Sequence, residues 1–261
     1  MAKRADDDDD EQAIAVEEAR ARPDRVDPEG AVELVHRIDD ELKHHDVPSQ
    51  LMAPGAFRVP IFASMRARFA MDDQVFDSLY PYWVRMLSDT HWTPVSVAVR
   101  AAQLLLPGAG EHVIDIGSGT GKFCTIAGML HHSAIFYGVE QRLRLIHVAE
   151  KLGRRLGVDN TRYLHTDIAS VNLDDFEAAY MFNPFGEHVL DGRPQIDGFH
   201  RPSHRRYRDL IAVAQEKLAR ARPGFRVVTY HGFGGEMPRS YERMAREPSW
   251  SDYLELWVKR V

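Results

Sequence analysis

Apolar residues recur at helical spacing through the first hundred positions. In PEGAVELVHRIDDEL (28–42), Val35, Ile38 and Leu42 fall on one helical face. The next stretch, VPSQLMAPGAFRVP (47–60), is broken by Pro48, Pro54, Gly55 and Pro60. A further helix is predicted over 72–89, with Phe76, Leu79, Tyr80, Trp83 and Leu87 as its apolar positions. In THWTPVSVAVRAAQLLLPGAG (90–110), Thr93 is a candidate N-cap and Pro94 suits a first helical turn, while Pro107 and Gly108 stop the helix.

After Gly110 the pattern changes. Short apolar runs at 112–117, 134–140, 161–168, 178–184 and 225–231 alternate with amphipathic stretches. A helix is predicted from 121, a second with Leu145, Ala149, Leu152 and Leu156 on one side, and a third over 203–221 with Tyr207, Leu210, Ala214 and Leu218. Strands alternating with helices predict βαβ units and a parallel sheet. At the end, YERMAREP and YLELWVKR follow one another with no helix between, which predicts an antiparallel hairpin. The fold class expected is α/β, a mostly parallel sheet closed by a C-terminal hairpin and preceded by a helical extension.

Charge changes the picture at one end only. The net charge of −6 belongs to residues 1–30, which hold 11 acidic and 5 basic residues; the rest of the chain balances 28 against 28. ADDDDDEQ repels itself and has nothing to bury, so 1–28 is expected to be a disordered acidic tail, solubilising or used as a docking arm. The neutral body gives no reason to expect a long nucleic acid as partner, though it leaves a short RNA contact open. One cysteine, Cys124, leaves no intramolecular disulfide or zinc–cysteine cluster, and no metal ligand set is expected. No apolar run approaches the ~18 residues of a membrane span. A reduced, cytoplasmic protein without membrane contact is expected.

The chemistry concentrates in VIDIGSGTGKF (113–123), where three glycines follow an apolar run. A triphosphate loop, G-x-x-x-x-G-K-[ST], fails because Ile116 stands at its first glycine and Phe123 replaces the magnesium-binding hydroxyl. A dinucleotide turn, G-x-G-x-x-G, is weakened because Lys122 stands where the third glycine should be. VIDIGSGTG instead resembles the first motif of class I S-adenosylmethionine (SAM)-dependent methyltransferases, whose fold is a seven-stranded Rossmann-like sheet ending in an antiparallel hairpin. The resemblance covers about 112–260 and divides the chain into a tail (1–28), a helical lid or substrate region (29–107) and a SAM-binding domain (108–261).

That resemblance assigns roles. Gly117, Gly119 and Gly121 would let the backbone approach the cofactor, and Asp115 would meet its methionyl ammonium. Glu140, ending the second strand, would accept both ribose hydroxyls; Asp167, ending the third, would bond the adenine amino group, and Ile168 would border the ring. Each acid also has a plainer role open to it, as a helix cap or surface group. HWTP (91–94) resembles the tyrosine/tryptophan-x-threonine-proline stretch of some seven-strand protein-lysine methyltransferases, which would set Trp92 and Thr93 against the cofactor; a core tryptophan and a plain cap are the alternative.

At the end of the fourth strand, Asn183-Pro184-Phe185 resembles the [asparagine/aspartate]-proline-proline-aromatic motif of enzymes that methylate amino nitrogens, although the second proline is missing. An asparagine carbonyl and the following backbone carbonyl can accept both N–H groups of an amine, and Phe185 could stabilise the developing cation by about 0.5–2 kcal/mol. Glu187, His188, Tyr230 and His231 are further candidates, either histidine being a possible base. Asn-Pro is also simply a turn signal. The function expected is therefore methyl transfer to an amine of a protein or similar acceptor. The alternatives are O- or C-methylation of a small molecule, an NAD-type oxidoreductase, or a scaffold that has lost catalysis. Arg58, Arg66 and Arg68 form a solvated face or a contact for an acidic substrate.

Overall fold

The computed structural model describes residues 73–189, 194–198 and 201–261. The expectations for the acidic tail, the helix around Val35 and the Arg58–Arg68 face lie outside them.

Seven strands form one sheet: β1 (His112–Ile116), β2 (Ile135–Glu140), β3 (Thr161–His165), β4 (Ala178–Phe182), β5 (Arg226–Tyr230), β6 (Tyr241–Ser249) and β7 (Asp252–Lys259). Their order across the sheet is β3-β2-β1-β4-β5-β7-β6. The first five are parallel, and β7 runs antiparallel to both β5 and β6. This is the Rossmann-like sheet with a terminal hairpin that the sequence pattern predicts. β1 lies between β2 and β4, so the chain reverses direction across the sheet there, and a crevice opens beyond the C-terminal ends of β1 and β4.

β1 is an apolar strand buried on both faces. Val113 faces one core with Phe123, Phe136 and Tyr180, while Ile114 and Ile116 face a second with Leu210, Ala214 and Val227. Helices α4 (Val95–Leu105) and α5 (Lys122–Leu130) cover the first face, and α7 (His204–Arg220) covers the second. Val95 to Leu105 share the first core with β1 and β4, while Leu106, the next residue, is exposed. β6 is an edge strand carrying Glu242, Arg243 and Arg246, a bulge between Arg243 and Ala245, and Pro248, all of which discourage pairing with a further strand. Among the described residues, no helix is long and apolar enough to cross a membrane.

The helix predicted over 72–89 is instead three short ones: α1 (Asp73–Asp77), α2 (Tyr82–Arg85) and α3 (Ser88–His91). Pro81 has no N–H to continue the ladder and sits extended at φ −56° and ψ 152°. Of the predicted apolar positions, Phe76, Tyr80 and Leu87 are buried while Leu79 and Trp83 are half-buried, and Val84, not among them, is fully buried. Thr93 does not cap α4. Pro94 occupies the N-cap position, and the first amide, Val95 N–H, donates to Asp73 Oδ1 at 2.9 Å, so α1 supplies the cap from a distance. The remaining helix, α6 (Leu143–Arg155), buries Leu145, Ala149 and Leu152 as its spacing predicts.

Candidate active site

The crevice at the switch point is a cavity of about 590 Å3. Its floor is the glycine turn between β1 and α5. Gly117, Gly119 and Gly121 all adopt left-handed backbone, at φ +76°, +53° and +71°. The space their missing side chains leave is filled largely by protein. A Cβ on Gly117 would lie 2.9 Å from Pro184 Cβ, and one on Gly119 would lie 2.7 Å from Trp92 Cζ3. Gly117 and Gly119 line the cavity, whereas Gly121 is packed behind it against Ala149 and Tyr163.

Of the predicted cofactor residues, Gly117, Gly119, Glu140, Asp167 and Ile168 come together on one wall. Glu140 Oε2 accepts from Gly119 N–H at 3.1 Å and Oε1 from Arg142 N–H at 2.8 Å, so the carboxylate is pinned across the turn. Burial pushes its pKa up, against the Arg142 amide and guanidinium, which pull it down. Asp167 caps its own short turn, accepting from Ala169 N–H at 2.9 Å, and Ile168 is buried beside it.

Besides Gly121, two more predicted cofactor residues fall off the wall. Asp115 is not on the cavity wall: it is buried beneath the turn, where Cys124 Sγ donates to its Oδ2 at 3.7 Å. Burial raises its pKa to about 8; the Cys124 contact opposes that rise and Glu140 adds to it. Thr93 is also off the wall, its Oγ1 lying 3.3 Å from the buried Tyr180 hydroxyl, whereas Trp92 and Pro94 on either side line the cavity.

The opposite wall is the loop after β4. Asn183 is left-handed at φ +37°, its N–H donates to Gly232 O at 3.0 Å, and its carbonyl accepts from Gly186 N–H at 2.9 Å. Asn183, Pro184 and Phe185 all line the cavity, but Phe185 is only 4% exposed and anchors in the second core. Phe182 is less buried than Phe185, and its ring centroid lies 5.1 Å from Tyr230 and 5.7 Å from His231. His231 has Nδ1 3.0 Å from Asp252 Oδ2 and Nε2 3.0 Å from Ser251 Oγ. His188, the other candidate base, is buried and not on the wall. Non-glycine residues with left-handed backbone number four among the described residues, and Asn183, His231 and Trp250 all line this cavity. Strain of this kind persists only where the surroundings impose it.

Several wall residues carried no recognised sequence signal. Arg142, in the loop after β2, donates to Glu187 Oε2 at 2.6 Å and Asp197 Oδ2 at 2.7 Å, with Glu140 at 3.7 Å. Burial works to strip its charge, but these carboxylates outweigh it and raise its pKa. Lys122 is 3% exposed and lies 2.7 Å from both Asp73 and Asp77. Lys122 was visible in the sequence as the residue standing where a dinucleotide turn has its third glycine; its two partners, far away in sequence, were not.

The chain is similar to an RNA methyltransferase from Salinibacter ruber in complex with S-adenosyl-L-homocysteine, at 20% identity over 64% of this chain and 93% of that one, with a TM-score of 0.48. It is similar to TrmN from Thermus thermophilus at 15% identity over 69% of this chain and 52% of that one, TM-score 0.47. A SAM-dependent O-methyltransferase from Thermotoga maritima matches at 14% identity over 69% and 72%, TM-score 0.44. No protein-family model and no curated protein matches the chain.

Proposed function

We propose that the protein is a SAM-dependent methyltransferase and that its acceptor is an amine nitrogen, on a protein lysine or a similar group. The observation that carries the cofactor reading is the convergence of the glycine turn, Glu140, Asp167, Ile168 and Asn183 on one cavity at the sheet's switch point. The residues fit the group. Each Glu140 oxygen has accepted one backbone N–H and retains a lone pair for a ribose hydroxyl. Asp167 keeps acceptor capacity for an adenine amino group, and Ile168 offers an apolar edge. Asp115 supports the turn from below, and Thr93 acts at one remove by holding Tyr180.

When bound, the cofactor supplies a methyl group already activated on a sulfonium sulfur. The protein's part is then to align an acceptor lone pair and keep water out. Asn183 is suited to accept the N–H groups of an amine, and its left-handed backbone holds it at the wall. The wall bears six carboxylates (Asp73, Asp77, Asp89, Glu140, Asp167 and Glu187) against Lys122 and Arg142, both internally paired, an excess that favours cationic ligands. The segment before the sheet contributes Asp73, Asp77, Asp89, His91, Trp92 and Pro94 to the cavity wall.

A second reading has its own support: His231, oriented by Asp252 and beside the Ser251 hydroxyl, is built like a proton acceptor for a hydroxyl, which suits O-methylation of a small molecule. Incubation with methyl-labelled SAM and a cell extract, followed by separate protease and nuclease digestion, tests the proposal. Protease-sensitive label on lysine supports it. Label in the low-mass fraction favours the second reading, and nuclease-sensitive label overturns both.

A further inference from the structure

Lys122 is an unusual group to find on the cavity wall. It is the first residue of α5, where the helix dipole disfavours a cation, and its side chain is 3% exposed. Burying an ammonium is costly unless it is paired, and it is paired twice: Nζ donates to Asp73 Oδ1 and Asp77 Oδ1, each at 2.7 Å. An ammonium has three hydrogens, so one remains beyond these two bonds. Two carboxylates against one ammonium leave a surplus negative charge. Among the described residues, Oδ2 of neither aspartate accepts a hydrogen bond. All three side chains line the cavity together with Gly117 and Gly119.

We propose that Asp73, Asp77 and Lys122 form a clamp for a zwitterionic α-amino-acid group. The ligand ammonium takes the surplus carboxylate charge of Asp73 and Asp77, and the ligand carboxylate takes the remaining Lys122 N–H at the positive end of α5. The proposal rests on the cofactor reading above and assigns the amino-acid end of that cofactor. It replaces Asp115, which lies beneath the turn and off the wall. It also explains why the third glycine of a dinucleotide turn is replaced by lysine here: at this position a pyrophosphate is not what is held.

The test compares two ligands that share adenosine and the thioether sulfur but differ in the amino-acid end. S-Adenosylhomocysteine has it; 5′-methylthioadenosine lacks it. Calorimetry on the full chain should show the wild type binding the first about 10- to 100-fold more tightly, the range of one or two charge-assisted hydrogen bonds. Lys122→Met and Asp77→Asn should each weaken S-adenosylhomocysteine by about tenfold or more while leaving 5′-methylthioadenosine within about threefold. Equal affinity of the wild type for both ligands overturns the clamp and leaves the cofactor reading standing. Binding of neither ligand overturns the cofactor reading and the clamp with it. Parallel loss of both ligands in a variant that melts at the wild-type temperature overturns the clamp. If Lys122→Met does not fold, the wild type decides alone, with an S-adenosylhomocysteine analogue lacking only the carboxylate: a loss of about tenfold supports the clamp, and an unchanged affinity overturns it.

Discussion

Trp92 lies so close over Gly119 that a Cβ at that glycine would stand 2.7 Å from Cζ3 of the ring. The same ring is fixed from behind by its Nε1–H, which donates to Val84 O at 2.9 Å. The turn is therefore shaped as much by the segment before the sheet as by any ligand. Gly119→Ala should be damaging on two counts: left-handed backbone costs a non-glycine residue about 1–2 kcal/mol, and the tryptophan cannot yield without breaking its own bond. The expected result is a loss of at least that stability in urea titration, with S-adenosylhomocysteine binding abolished in whatever fraction remains folded.

The buried carboxyl of Asp115 makes stability depend on pH in a direction opposite to that of most acids. Its native pKa is raised to about 8 from an ordinary value of 3.8. Between those two pH values the native state holds a proton that the unfolded state does not, so this group's contribution falls as pH rises from about 4 to 8. Asp115→Asn, which mimics the protonated carboxyl, should remove that slope. Across pH 6 to 8 the variant should gain on the wild type by up to about 1.4 kcal/mol per pH unit, measured as the difference in unfolding free energy. A difference that stays constant over this range would show that Asp115 is ionised in the native protein.

Sheet, hairpin and glycine turn were legible because each rests on local pattern: paired apolar runs, alternation, and glycines at fixed spacing. Glu140, Asp167 and Asn183 were legible because they end strands at the same edge of the sheet. What was not legible depends on contacts across sequence. Asp73 capping α4 in place of Thr93, and the Lys122 pairing, join residues 22 and 49 positions apart. The position of Asp115 beside the glycines suggests a ligand contact, while the strand's alternation turns its side chain to the Cys124 side, a neighbour the sequence does not announce.

Arg142 joins three segments that the sequence keeps apart: the loop after β2, the turn after β4 and the stretch 194–198. It is 6% exposed, and Asp197 is 4% exposed. Removing a buried partner strands the other charge, a loss of about 3–5 kcal/mol. Arg142→Met should therefore destabilise the protein by roughly that amount in chemical denaturation. Asp197→Asn should cost less, since Glu187 still holds the guanidinium. Comparable losses for both would mean that the network acts as one unit.

Asn183 and His231 offer the sharpest separation of binding from transfer. They stand on neighbouring loops tied by the Asn183 N–H to Gly232 O bond, and both line the cavity with left-handed backbone. Neither touches Glu140, Asp167 or the glycine turn through a hydrogen bond. Asn183→Ala and His231→Ala should therefore leave S-adenosylhomocysteine affinity within about threefold, while transfer of labelled methyl falls by about 10²-fold or more, the scale on which positioned proton acceptors and orienting groups act. The pair also discriminates between acceptors. An amine acceptor should suffer more from losing Asn183, which orients its N–H groups; a hydroxyl acceptor should suffer more from losing His231, which must take its proton. Equal loss of cofactor binding and transfer in the Asn183 variant would assign that residue to the cofactor side of the cavity and withdraw it from acceptor alignment.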